Sequence, residues 1–172
     1  TVVAIASRDA ARARAVAREL GIAKAYGSYE ALLADPYVQA VYNPLPNHLH
    51  VEWTRRAAEA GKHVLCEKPI GLTAADAEEL IRVRERTGVR IQEAFMVRTH
   101  PQWLKTRELV QGGRIGRLRA ITGHFSYYND DPANIRNQVD IGGGGALHIG
   151  SSPPPTPPLV PRPRPPPGGG PG

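Results

Sequence analysis

Glu67-Lys68-Pro69 follows directly on the apolar run Val64-Leu65-Cys66 and sets an acid, an amine and a rigid ring on consecutive positions. A lysine placed there can accept the hydroxyl proton of a carbinol once burial or a neighbouring cation draws its pKa toward neutrality. Glu67 can orient that ammonium or hydrogen-bond a ribose hydroxyl, and Pro69 fixes the turn. From the tripeptide alone an ordinary surface ion pair after a strand is the preferred reading, and the flanking motifs reverse that preference. Upstream, Asn43-Pro44-Leu45-Pro46-Asn47 is stiffened by two prolines, and its second asparagine can cap the next helix. His50 is open between a packed or capping histidine and a ligand contact. The six histidines and sixteen acids show no metal-ligand spacing, so no metal site is expected.

These residues sit in an alternating pattern. Val2 to Ala6 is a nearly continuous apolar run, as expected of a strand covered on both faces. Asp9 can cap a helix from Ala10 to Leu20 that Gly21 stops, and Ser28 can cap a short helix from Tyr29 to Leu33 that Asp35-Pro36 breaks. Val38 to Tyr42 reads as a strand, and the Asn43 to Asn47 loop leads into a helix reaching Ala60, with Gly61 as its C-terminal cap. His63 to Cys66 is the next strand. Thr73 and Asp76 have capping-box spacing before a long helix ending near Thr87-Gly88, and Arg90 to Ala94 closes the series. Strands alternating with helices in this way predict an α/β fold with a parallel, doubly wound sheet. Ligands of such sheets bind beyond the carboxyl ends of the strands, where Ser7-Arg8, Asn43 to Asn47 and Glu67 to Pro69 all fall. NAD-preferring sheets carry an acid in the place of Ser7-Arg8, whereas a small hydroxyl residue and an arginine suit a ribose phosphate. That substitution predicts NADP, with NAD as the alternative; an exposed arginine without a role is the competing reading.

Beyond Thr99 the pattern changes. Pro101 can open a helix to Gln111, Gly112-Gly113 ends it, and Leu118 to Tyr128 alternates as a long strand of a different, antiparallel sheet. The predicted organisation is a partial dinucleotide-binding domain over 1–98, the start of a second, α+β domain over 99–150, and a disordered Pro/Gly-rich tail over 151–172. At 172 residues, of which 41% are hydrophobic, the chain accommodates one buried domain and part of another. No run of about 18 apolar residues is present, so no membrane segment is expected. The lone Cys66 excludes an internal disulfide and fits a reducing cytoplasm. The net charge of +6 is spread over helix faces with acids among the arginines, which argues against a nucleic-acid footprint.

Four motifs in order carry a resemblance: Asn43-Pro44-Leu45-Pro46-Asn47-His48-Leu49-His50, Gly61 to Pro69, Ala94-Phe95-Met96-Val97-Arg98-Thr99-His100-Pro101, and Gly142 to Leu147. Over roughly residues 2 to 150 the chain resembles the glucose-fructose oxidoreductase and inositol dehydrogenase (Gfo/Idh/MocA) family. The resemblance implies a Rossmann domain followed by an open antiparallel-sheet domain, with hydride exchanged between a nicotinamide and a carbinol or carbonyl carbon of a sugar-like or cyclic polyol substrate. It implies Lys68 as the catalytic proton carrier, its pKa lowered further by the cationic nicotinamide. Pro44, Leu45, Asn47 and His50 would lie against the cofactor with Ser7, Arg8, Glu67, Lys68 and Pro69, the last behind a cis bond. Glu93 and Arg98 would line the substrate cleft, although Arg98 also reads as a structural ion-pair partner. Family members assemble through the open sheet, which implies a homo-oligomer.

Two family features are missing from the sequence. No Gly-x-Gly-x-x-Gly precedes the first strand, so the chain reads as beginning at the second strand of the sheet. Where relatives continue Gly-Gly-Gly-Ala-Leu-x-Asp, this chain has Leu147-His148-Ile149-Gly150 and then prolines, which points to a reading-frame shift near His148. The alternative to an enzyme is a non-catalytic, Rossmann-like chain with weak nucleotide binding or an interaction role.

Overall fold

The computed structural model describes residues 1–122, 124, 126 and 128–141. A compact unit spans Thr1–Ala94, and a second begins at Phe95. In the first, β1 (Ala4–Ala6), α1 (Ala10–Leu20), β2 (Lys24–Tyr26), α2 (Tyr29–Leu33), β3 (Ala40–Asn43), α3 (His50–Glu59), β4 (His63–Glu67), α4 (Ala74–Thr87) and β5 (Ile91–Ala94) alternate strictly. Every strand pairing is parallel: β1 with β2, and β3-β4-β5 in that order, with Val41 opposite Val64 and Val64 opposite Ile91. The α/β, Rossmann-type expectation is met.

The helix ends follow from their caps. Asp9 accepts from the amides of Ala11 and Arg12 at the start of α1. Thr73 and Asp76 exchange the two bonds of a capping box at the start of α4. Gly21 leaves α1 at φ +66, a left-handed conformation that a Cβ would strain. Packing is built around small residues of α3. Ala57 is fully buried with Val64 and Cys66, and Ala58 with Val83 and Val89, so the helix lies close on both β4 and α4.

β2 escapes a reading based on apolar periodicity. Its sequence is Lys-Ala-Tyr, and what orders it is a polar anchor: Lys24 and Tyr26, on one face of the strand, both donate to Asp35 Oδ2, at 2.7 and 2.8 Å. Lys62 Nζ donates to the Asp35 carbonyl at 2.8 Å, which ties the same corner to the start of β4. The Lys24 ammonium, then the Tyr37 amide and the Tyr26 hydroxyl, hold the Asp35 carboxyl down at about 2. An apolar cleft of about 460 Å³ lies between β1 and β3, lined by Ile5, Ile22, Leu32, Val41 and Trp53 among others.

The second unit begins with a 3₁₀ turn, Met96–Arg98, and α5 (Pro101–Gln111), the latter with its expected bounds and a proline at its first turn. The strand expected from Leu118 to Tyr128 is a correction: none of the described residues there is in a strand. Alternating side chains favour extension, but a strand needs a neighbouring edge, and 118–122 find none among the described residues. The Gly-rich stretch from Gly142, His148 and the 151–172 tail lie outside the described residues.

Candidate active site

Neighbouring parallel strands β3 and β4 end side by side, with Asn43 opposite Cys66, so the chain beyond each emerges on one edge of the sheet. Buried Asn43 closes the first loop. Its amide donates to the His50 carbonyl and to Thr54 Oγ1, both at 3.2 Å, and its Oδ1 accepts from the Leu45 amide at 3.3 Å. Asn47 is also buried, in the 3₁₀ turn Asn47–Leu49 that opens α3.

The second loop is the turn at Glu67, Lys68 and Pro69, where the Lys68–Pro69 peptide is cis. Elements on three sides hold it. From β3, the Tyr42 hydroxyl donates to Glu67 Oε1 at 2.7 Å, and Glu67 Oε2 accepts from the Lys68 amide at 3.1 Å. From the start of α3, His50 Nδ1 lies 2.7 Å from the Pro69 carbonyl oxygen, and from β5, Glu93 Oε1 accepts from the Ile70 amide at 3.0 Å. Lys68 thus projects from a turn whose flanking residues are each fastened to a different element.

His50 is 1% exposed, and its Nε2 lies 2.6 Å from the Leu45 carbonyl oxygen. Both ring nitrogens therefore face backbone acceptors, and both contacts are hydrogen bonds when both nitrogens carry protons. The ring presents no polar atom to a ligand. It joins the two loops through the Leu45 and Pro69 carbonyls. Pro44 is exposed and Leu45 half-buried at the head of the apolar cleft.

Beyond β1, Ser7 is half-buried, with its Oγ accepting from the Asp9 amide at 3.2 Å, and Arg8 is exposed. Arg8 thus stands two residues beyond the end of β1. Asp9, the nearest acid in sequence, is committed to capping α1. Arg98 is exposed at the end of the 3₁₀ turn in the second unit. No group of histidines, cysteines, aspartates and glutamates among the described residues is arranged to hold a metal ion. None of the described helices is long and apolar enough to cross a membrane. Arginines of α3 and α4 are engaged by acids: Arg55 by Glu59 and Glu79, Arg56 by Glu30 and Glu52, and Arg86 by Glu59.

Sequence reasoning did not reach two contributors. Tyr42 was read as strand only, although its hydroxyl is bound so firmly by Glu67 that its pKa is pushed up to about 12. Thr54, fully buried, bonds both Asn43 and the Cys66 thiol. A tyrosine immediately before Asn43-Pro44 and a threonine four residues after His50 were the available signals.

The carboxyl edge of a parallel α/β sheet, where the amine-bearing turn and the loop after β3 are held together, is where sheets of this kind bind their ligands. The chain belongs to the oxidoreductase family with an NAD-binding Rossmann fold (Gfo/Idh/MocA), which it matches over residues 1–95. It is 57% identical over 152 residues to an uncharacterized oxidoreductase of Rhizobium meliloti, a match covering 88% of this chain and 46% of that one. It is 50% identical over 148 residues to a D-xylose 1-dehydrogenase (NADP(+)) of Haloferax volcanii, covering 86% of this chain and 45% of that one. Among solved structures, a 3-ketoreductase from Actinomadura kijaniata in complex with NADP and TDP-benzene superposes with a TM-score of 0.80 at 41% identity, over 87% of this chain and 46% of that one. The chain thus spans less than half the length of these relatives.

Proposed function

We propose that the protein is an NADP-dependent oxidoreductase acting on a sugar-like or cyclic polyol carbinol or carbonyl, with Lys68 as its proton carrier. One observation carries the reading. In a member of an NAD-binding family, the loop after β3 and the Lys68 turn after β4 meet at the carboxyl edge of the sheet and are joined through His50. The names of the relatives agree in class, since a xylose dehydrogenase and a ketoreductase both exchange a hydride at an oxygen-bearing carbon.

NADP, when bound, would supply the hydride acceptor and, in reduced form, the donor. Ser7 and Arg8 would hold its ribose phosphate, and Pro44, Leu45 and Asn47 would line the cofactor site, with His50 fixing that loop against Pro69. Glu67, with Pro69, holds the turn and directs Lys68. As the carbonyl forms, Lys68 Nζ takes the proton of the carbinol hydroxyl, and in reduction it gives that proton back. Glu93, through the oxygen not bonded to Ile70, and Arg98 are the substrate-side residues. Self-association of copies belongs to the same proposal.

The test is to take a protein that carries this chain at the full length of its relatives, since the chain alone is expected to turn over little or not at all. It is mixed with NADP or NAD and a panel of aldoses and cyclic polyols, and the reduced nicotinamide is followed. Turnover with at least one polyol, faster with NADP, is expected. Nucleotide binding with no turnover on any member of the panel would favour the non-catalytic reading, and tighter binding of NAD would remove the role given to Arg8.

A further inference from the structure

Asn43, the last residue of β3, carries a polar side chain where water does not reach, being 3% exposed. A buried amide is costly unless its donors and its acceptor are engaged. Here the partners are specific: Nδ2 donates to the His50 carbonyl and to Thr54 Oγ1, both at 3.2 Å, and Oδ1 accepts from the Leu45 amide at 3.3 Å. A backbone N–H on one side and a backbone carbonyl on the other leave one orientation of the amide. The side chain therefore ties the second residue of the loop after β3 to the first residue of α3, and Pro44 to Asn47 lie within the stretch it closes. Thr54, fully buried one turn further along α3, takes the other amide hydrogen. An apolar side chain of similar size would fill the same space and leave the Leu45 amide without this acceptor.

We infer that Asn43 is a positioning residue for the cofactor, fixing the loop after β3 in the shape in which Pro44, Leu45 and Asn47 line the nucleotide site. The role rests on the oxidoreductase reading for its ligand. Asn43 is itself enclosed and acts through the loop. Released from it, the loop spends time in shapes that do not bind, and the apparent affinity falls with the fraction of chains in the binding shape.

Two readouts test this, neither of them turnover. The first is hydrogen exchange of the Leu45 amide, followed by NMR on the chain itself. The second is the NADP dissociation constant, from calorimetric titration of a protein that carries this chain at the full length of its relatives. In Asn43→Leu, which keeps the volume and none of the bonds, the Leu45 amide is expected to exchange about tenfold faster and NADP to bind about tenfold more weakly, as for a loop competent about a tenth of the time. Thr54→Val removes one partner of the amide with little change of shape and is expected to move both readouts the same way by a smaller factor. Thr54→Ser retains the hydroxyl and should leave both near their native values. Val83→Ala truncates a side chain buried between α3 and α4, away from the loop, and should change neither, although it costs stability. Unchanged NADP affinity in Asn43→Leu and Thr54→Val overturns the inference, and so does an equal loss in Val83→Ala. If circular dichroism shows that Asn43→Leu does not fold, the threonine variants decide, and Thr54→Ser binding no better than Thr54→Val overturns the inference. Failure of the oxidoreductase reading would appear separately, as absent turnover by an unmodified full-length protein that still binds NADP.

Discussion

The ring of His50 stands 2.7 Å from the backbone carbonyl of Pro69 across 19 positions of sequence, and it is buried to 1% exposure. Its other nitrogen reaches Leu45, so one side chain sets the distance between the loop after β3 and the turn after β4. His50→Phe keeps much of the volume and removes the ring N–H that one of the two carbonyls accepts from in the neutral tautomer. A loss of about 1–3 kcal/mol is expected, the cost of one buried polar group left unsatisfied. Urea unfolding followed by circular dichroism measures it, and a change below about 0.5 kcal/mol, typical of surface substitutions, would remove the clasp from the account.

Asp35 gives the fold an acid limit. Its carboxyl is held at about 2 against an ordinary 3.8, chiefly by the Lys24 ammonium, then by the Tyr37 amide and the Tyr26 hydroxyl. A depressed folded-state pKa contributes stability that is present above the unfolded value and lost as pH falls through the folded one. Urea midpoints of the native protein are therefore expected to drop between about pH 4 and pH 2 more steeply than those of Asp35→Asn. Parallel curves for the two proteins across that window would show that the β2 anchor is not coupled to folding.

Cys66 is expected to be inert in the folded protein. It is fully buried, and burial pushes its thiol up to about 11, against the smaller opposing effect of the Thr54 hydrogen bond. Ellman's reagent at pH 8 should give no signal until denaturant is added, and then one thiol per chain. Rapid reaction without denaturant would mean that the α3–β4 interface opens readily.

In the proposed function, Arg8 is the residue that separates the two nicotinamide dinucleotides. Its exposed guanidinium follows β1 where an acid would serve a ribose hydroxyl. Arg8→Ala is expected to weaken NADP binding by about tenfold or more, the equivalent of one hydrogen bond to a charged group. NAD binding should be unchanged. Isothermal titration with each nucleotide decides it, and equal losses for both would assign Arg8 a role in folding.

Where hydrophobic period and cap residues coincide, the sequence is legible to the residue. α1, α2 and α5 have the bounds that Asp9, Ser28, Gly21 and Pro101 imply. β2 was not legible, because Lys24 and Tyr26 are ordered by an aspartate nine to eleven positions away and no apolar alternation marks them. Among the described residues from Leu118 to Tyr128 the opposite holds: alternation is present, but a strand requires an edge that local pattern cannot supply. In the candidate site, the turn at Lys68 was visible through its flanking motifs. The partnership of Tyr42 with Glu67 was not, because strand register alone brings together residues 25 positions apart.

The pH dependence of kcat/KM for NADP reduction, compared between the native protein and Lys68→Ala, tests the central claim most directly. With Lys68 as the proton carrier, the native profile should rise along one limb that disappears in Lys68→Ala, and the rate should fall by about 10²–10⁴-fold. NADP affinity should change little. A Lys68→Ala protein that keeps both the limb and most of the rate would contradict the account.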